Sequence, residues 1–202
     1  IEFIKYRIIY DFEYWAYSFI FIKDKVSPKD IPFKLNRAQR RVLNKLEKLR
    51  KAGKPIKFIL LKARQWGGST LVQIYMLWIM LVHRRNWNTV ICGDVETQSR
   101  NVRAMITKAL NKYPSYLLGE TVKFTPFEGS SKNKVIQNTN CVVSIGSFQK
   151  PDTLRSGDIS GAHLTEIGLW RATPGKKPED LIQSISGSIY DTAYTILGLE
   201  ST

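Results

Sequence analysis

Residues Ile56–Thr70 read I-K-F-I-L-L-K-A-R-Q-W-G-G-S-T, and this stretch decides the fold. Ile56–Lys62 is a short apolar run, the length of one buried strand. Lys62–Thr70 (K-A-R-Q-W-G-G-S-T) follows it and opens a helix predicted over Ser69–Arg84. A loop between such a strand and such a helix is the setting of a phosphate-binding loop. Glycines let the backbone turn tightly, so that successive N–H groups face phosphate oxygens. The helix N-terminus adds a partial positive charge. The Ser69 hydroxyl falls directly after the loop, where a Mg²⁺ ligand is needed.

The strict pattern G-x-x-x-x-G-K-[ST] fails at two positions. Counted back from Gly67, Lys62 stands at the first glycine and Gly68 at the lysine. Positive charge persists in the loop through Lys62 and Arg64, and either can reach the β- and γ-phosphates from the loop's opposite end. Taken alone, the stretch reads equally well as an ordinary strand–turn–helix with a Gly-Gly turn.

Outward from the loop the chain alternates. Strands are predicted at Thr89–Gly93, Cys141–Phe148, Ile159–Glu166 and Tyr194–Leu199, and helices at Glu96–Asn111 and Pro178–Ile189. Residues 119–139 suit a hairpin insertion. The alternation predicts an α/β domain with a mainly parallel sheet. Ligands of such sheets bind beyond the carboxyl ends of the strands. Attention therefore falls on Lys62–Thr70, Asp94–Gln98, Gln149–Arg155, Thr165–Glu166 and Glu200–Thr202.

Upstream, Leu35–Lys51 carries Leu35, Ala38, Val42, Leu46 and Leu49 at helical spacing, with Asn36 placed to cap it. Nine basic residues lie between Arg37 and Lys57 against one acid, Glu47, a charge that suits either solvent or phosphates. Residues 1–25 are aromatic and apolar on nearly every face, as in a buried or partner-covered helix. Ser27–Pro32 holds two prolines and reads as a linker. The expected organisation is a helical extension and linker over 1–32 and one catalytic domain over 33–202.

The 202 residues suffice for one core, and 43% of them are hydrophobic. Lys and Arg number 31 against 17 Asp and Glu, a net charge of +14 that favours a polyanionic partner such as nucleic acid. Cys92, Cys141, His83 and His163 lack zinc-ligand spacing, and two scattered cysteines suit a reducing compartment. The apolar run Tyr14–Ile22 is too short to span a bilayer, which takes roughly 20 residues. The stop at Thr202, just after a strand-like run, suggests a piece of a longer protein.

K-A-R-Q-W-G-G-S-T resembles the deviant Walker A of tailed-phage terminase large subunits, whose core is R-Q-x-G-x-[ST]. The resemblance implies that Arg64 or Lys62 contacts phosphate and that Ser69 contacts the metal, with Ala63, Gln65, Trp66, Gly67, Gly68 and Thr70 completing the ATP loop. Ser160–Trp170 (S-G-A-H-L-T-E-I-G-L-W) resembles that family's Walker B region, which implies Glu166 as the carboxylate that polarises the attacking water. Thr165 then stands where many P-loop enzymes have Asp, which puts their usual hold on Mg²⁺ in doubt. Leu199–Thr202 (L-E-S-T) resembles the coupling motif, so Glu200, Ser201 and Thr202 are implied to sense the γ-phosphate. Phe33–Gln39 (F-K-L-N-R-A-Q) resembles the adenine segment, with Gln39 as the candidate, although a plain helix-surface Gln fits equally. Arg155 in Leu154–Gly157 is the first choice for the arginine at the γ-phosphate, ahead of Arg100 and Arg103.

The implied fold is a P-loop NTPase of the ASCE type. The implied activity is ATP hydrolysis with Mg²⁺, driving double-stranded DNA into a procapsid. The implied partners are DNA, a portal protein, a small terminase subunit and further copies in a ring. The implied place is the host cytoplasm, at the portal vertex. A C-terminal nuclease domain is not expected within these residues, nor is nuclease activity. Two other readings remain: a helicase-like P-loop translocase, and a nucleic-acid-binding module that has lost hydrolysis.

Overall fold

The computed structural model describes residues 2–24, 26–151 and 158–202. The first twenty-odd residues form two helices rather than one, α1 (Glu2–Tyr10) and α2 (Phe12–Phe19). The break falls at Asp11, whose side chain accepts a hydrogen bond from Tyr14 N at 2.9 Å and so caps α2. No residue of α1 is buried, whereas α2 sinks Phe12, Trp15, Ala16 and Phe19 into the core. The expected linker is also more ordered than its prolines suggest. β1 (Phe21–Lys23) and β2 (Asp30–Pro32) pair antiparallel, with Pro32 at the strand's last position, where a missing N–H costs little.

Helix α3 (Arg37–Lys51) starts at Arg37 rather than at Leu35, in a full Asn36/Gln39 capping box. Strand β3 (Ile56–Leu61) leads through the glycine loop into α4 (Gly68–Trp78), which continues as a π-helical turn over Ile79–His83. β4 (Thr89–Gly93) and α5 (Glu96–Asn111) follow, then the expected hairpin as β5 (Phe124–Phe127) and β6 (Ser130–Ile136). β7 (Cys141–Ser147), β8 (Gly161–Thr165), α6 (Pro178–Gly187) and β9 (Ile196–Ser201) complete the described elements. The last strand runs two residues further than predicted, so Glu200 and Ser201 lie inside it and only Thr202 lies beyond.

The main sheet has the order β3-β9-β8-β4-β7-β6-β5. The five strands from β3 to β7 in that order are parallel, and the hairpin is joined antiparallel at the far edge. One strand, β9, thus separates the loop strand β3 from β8, the arrangement of ASCE-type P-loop folds. One face of the sheet is covered by α4, α5 and the aromatic side chains of α2. Phe12 sits 5.3 Å from Tyr75 and 5.5 Å from Trp78, and Trp15 Nε1 donates to Tyr113 OH at 3.0 Å. α6 covers the opposite face through Leu181 and Ile185. Among the described residues no helix is long and apolar enough to cross a membrane.

The N-terminal helices therefore share the domain's largest core. Trp15→Ala is expected to cost about 3–5 kcal/mol in denaturant unfolding, whereas a freely hinged extension would show almost no change. His83 packs edge-on against Trp78 at 4.4 Å. Burial, and then the Arg50 charge, push it down from 6.5 to about 4. The unfolded chain takes up this proton below its own pKa while the folded chain resists. Stability from this group is therefore intact above 6.5 and falls as pH drops from 6.5 towards 4. His83→Gln is expected to flatten that part of the melting-temperature profile.

Candidate functional site: a phosphate loop braced from both sides

The loop leaves β3 at Lys62 and turns through two left-handed residues, Gln65 (φ 63°) and Gly67 (φ 84°). The second position calls for glycine on two counts: the dihedral, and a Cβ there would lie 2.7 Å from Gln39 Nε2. The start of α3 holds the loop's outer side. Gln39 Nε2 donates to Gly67 O at 2.8 Å, and Asn36 Nδ2 donates to Trp66 O at 2.9 Å. Gln39 Oε1 accepts from Asn36 N at 2.9 Å. Both ends of the amide considered for adenine are thus engaged within the protein, and the side chain is buried.

The second glycine, Gly68, carries the departure from the usual loop. A Cβ on it would come 2.7 Å from Lys62 Cδ and 3.1 Å from the Trp66 ring. The Lys62 side chain therefore lies across the position where the ordinary motif has its lysine. Its ammonium donates to Glu166 Oε1 at 3.2 Å with the side chain only 7% exposed. Arg64, the other candidate, is exposed.

Glu166 follows β8 directly in a left-handed conformation (φ 54°) and opens a 3₁₀ turn over Ile167–Leu169. This turn directs the carboxylate towards the loop on one side and the end of β9 on the other. Its Oε2 accepts from Thr202 Oγ1 at 2.8 Å and from Thr202 N at 3.3 Å. Gly168 N donates to Ser201 Oγ at 3.1 Å. Lys62, Glu166, Ser201 and Thr202, widely separated in sequence, are thus brought together at one end of the sheet.

Beneath them lies a buried cluster that sequence reasoning did not assemble. Glu200 Oε1 accepts a short hydrogen bond from Ser69 Oγ and another, at 2.8 Å, from Thr165 Oγ1. His163 Nε2 stands 3.2 Å from the same oxygen, and neither His163 nor Glu200 is exposed at all. His163 Nδ1 meets Gln73 Nε2 at 2.5 Å. Burial alone would raise the Glu200 pKa. His163 and the two hydroxyls outweigh it, bringing the carboxyl down to about 2. The available signal was Thr165 itself, a missing acid beside a strand that ends in Glu.

Beside the loop, a cavity of about 680 Å³ is lined by Phe21, Phe33, Trp66, Gly67, Met105 and Lys108 among others. Its size and largely apolar wall suit a planar base. Arg155 lies outside the described residues. Arg103 is tied to the hairpin through Ser131 O at 2.8 Å and through Lys132 O, and Arg100 pairs with Glu96 at 2.8 Å.

Comparison with solved structures places this fold among terminase ATPase domains. The large terminase of bacteriophage HK97 superposes with a TM-score of 0.72 at 22% identity, over 98% of this chain and 37% of that one. A large terminase from a thermophilic bacteriophage, in complex with ADP, gives 0.53 at 12% identity, over 83% of this chain and 38% of that one. The chain has the fold of large-terminase ATPase domains. It spans 37% of the HK97 protein's length. The UvsW helicase of bacteriophage T4 also matches, at 0.53 and 12% identity over 95% of this chain and 59% of that one. No family model matches the sequence, and no curated protein does.

The donor set at the head of α4 suits a Mg²⁺ ion. Among the described residues no cluster of three or more His, Cys, Asp or Glu could cage a metal alone. Mg²⁺ prefers one or two protein oxygens, with water and phosphates completing its shell. Ser69 Oγ, at the head of α4 and against a carboxylate, is such an oxygen.

Gly68→Ala is expected to displace Lys62 and weaken binding of a fluorescent ATP analogue about tenfold, or roughly 1.4 kcal/mol. Lys62→Ala should do the same, and the double variant little more. An unchanged affinity in both would move the phosphate cation to Arg64.

Proposed function

We propose that this chain is the ATP-hydrolysing motor domain of a viral terminase large subunit, which translocates double-stranded DNA into a procapsid. The observation that carries the reading is the Lys62–Glu166–Thr202 group, in which loop cation, acid and strand-end hydroxyl meet. ATP lies with its phosphates on Lys62–Thr70 and its base in the cavity beside Phe33 and Trp66. Gln39 serves by holding the loop in shape rather than by reading adenine. Ser69 holds the Mg²⁺, which neutralises charge on the β- and γ-phosphates.

The residues' own part follows from their pairing. In the free protein Lys62 is occupied by Glu166. Phosphate oxygens compete for Lys62, and its departure leaves Glu166 an acceptor positioned to orient water for in-line attack. The same carboxylate holds Thr202, so loss of the γ-phosphate is felt at the end of β9. Glu200, Ser201 and Thr202 thus form the coupling segment, and Arg155 remains the proposed cation at the transition state.

The net charge of +14 supports gripping DNA through its phosphates, with strong salt dependence and little sequence preference. Portal protein, small terminase subunit and neighbouring copies in a ring are the proposed partners, in the host cytoplasm at the portal vertex. A helicase-like translocase is the second reading, favoured by the likeness to UvsW. A non-hydrolysing nucleic-acid module is the third, favoured by Gly68 and Thr165.

Steady-state phosphate release from ATP and Mg²⁺, with and without double-stranded DNA, tests the assignment. Glu166→Ala is expected to keep nucleotide binding and to lower turnover by a factor of at least about 100. Turnover indifferent to this change would remove Glu166 from the chemistry. Tight binding with no turnover in the parent chain would favour the non-hydrolysing module.

A further inference from the structure

Membership of the coupling segment does not by itself account for the burial of Glu200 beneath the loop. Glu200 is fully buried and held from three sides, by Ser69, Thr165 and His163. A residue that senses a departing phosphate needs access to the ligand side, which exposed Thr202 has and fully buried Glu200 lacks. Burying an ionised carboxylate costs several kcal/mol unless something compensates, so its position calls for an explanation.

The register supplies one. β8 and β9 are parallel neighbours, and Thr165 pairs with Glu200 across them. Register partners in a sheet direct their side chains to the same face. A carboxylate expected at the end of β8 therefore occurs one strand over, at the same level, with a hydroxyl in its former place. The hydroxyls of Thr165 and Ser69 converge on the same oxygen of Glu200.

We propose that Glu200 is the positioning residue for the metal-binding hydroxyl, supplying from β9 the carboxylate that position 165 lacks. The inference rests on the ATPase reading above. By accepting the Ser69 hydroxyl proton, Glu200 turns that oxygen's free lone pairs towards the cation and places a negative charge just behind it. Thr165 fixes the same carboxylate oxygen from the other side, so that the acceptor cannot rotate away. Outer groups that orient a metal's ligands are typically worth about 10–100-fold in metal affinity.

The test uses the whole 202-residue chain and a fluorescent ADP analogue, titrated first in EDTA and then with increasing Mg²⁺. Glu200→Gln keeps the shape and one acceptor but removes the charge. It is expected to leave metal-free affinity unchanged and to raise the Mg²⁺ concentration for half-maximal tightening about 10–100-fold. In a Ser69→Ala background Glu200→Gln should add nothing, since Glu200 acts through that hydroxyl. The exchange variant Thr165→Asp/Glu200→Thr returns the acid to β8 and is expected to recover most of the loss. A purely structural Glu200 would lower thermal stability without moving the Mg²⁺ midpoint, and that result overturns the proposal. So does an exchange variant that folds yet stays as weak as Glu200→Gln. Should Glu200→Gln not fold, the exchange variant decides: a midpoint near the parent's supports the proposal and a weakened one refutes it. A parent chain that binds no nucleotide overturns the ATPase reading itself, and this inference with it, before any variant is made.

Discussion

The site depends on one close passage, the Lys62 side chain lying over Gly68. Any side chain at position 68 would occupy the path of the lysine stem. The two departures from the usual phosphate-loop pattern are therefore one structural change seen twice. A lysine at the loop's first position removes the need for one at its seventh, and it also demands glycine there. The ion pair it forms with Glu166 is largely withdrawn from solvent, so neither partner is indifferent to losing the other. Lys62 thus keeps the acid at the end of β8 paired.

That passage is held in place by elements remote in sequence. The N-terminus of α3 fixes the carbonyls of Trp66 and Gly67 through two side-chain amides. The same amides cap the helix, so the brace and the helix start form together. From the other side, β9 lies between β3 and β8 in register with both, which brings Glu200 under Ser69. The loop is therefore clasped between a helix upstream of it and the last described strand of the chain. Both clasps reach Trp66, Gly67 and Ser69 from outside the loop's own strand–loop–helix unit.

Much of this was legible in the sequence, and the exceptions have physical causes. β4 and α5 match their predicted spans, and α3 starts at Arg37, directly after the Asn36 cap, rather than at Leu35. The end of β9 was placed too early because Glu is depleted in strands. His163 and the hydroxyls of Ser69 and Thr165, all from outside β9, make a buried glutamate tolerable there. Residues 1–25 read as one helix because their apolar character is continuous, yet a single capping Asp11 divides them. The choice between Lys62 and Arg64 could not be made from spacing, since it turns on an approach between Lys62 and Gly68 that only the folded loop creates. Gln39 was singled out for adenine; it lines the cavity beside the loop, and its amide also braces the loop through Gly67 O, a contact that spacing alone does not reveal.

Strand β9 links these observations. Its residue Glu200 points inward to the hydroxyl that opens α4, while Ser201 and Thr202 point to the turn that carries Glu166. Alternation along the strand separates Ser201 from Glu200, and Thr202, beyond the strand's end, is free of that alternation and reaches the same turn as Ser201. One short strand end is thus tied both to Ser69 at the head of α4 and to Glu166 after β8. A shift of that strand cannot alter one without straining the other, since Glu200 is held by three partners and Thr202 by one carboxylate. The buried tie stands upstream and the exposed one at the end, so any displacement of the strand end is taken up more readily beyond Glu200, at Ser201 and Thr202.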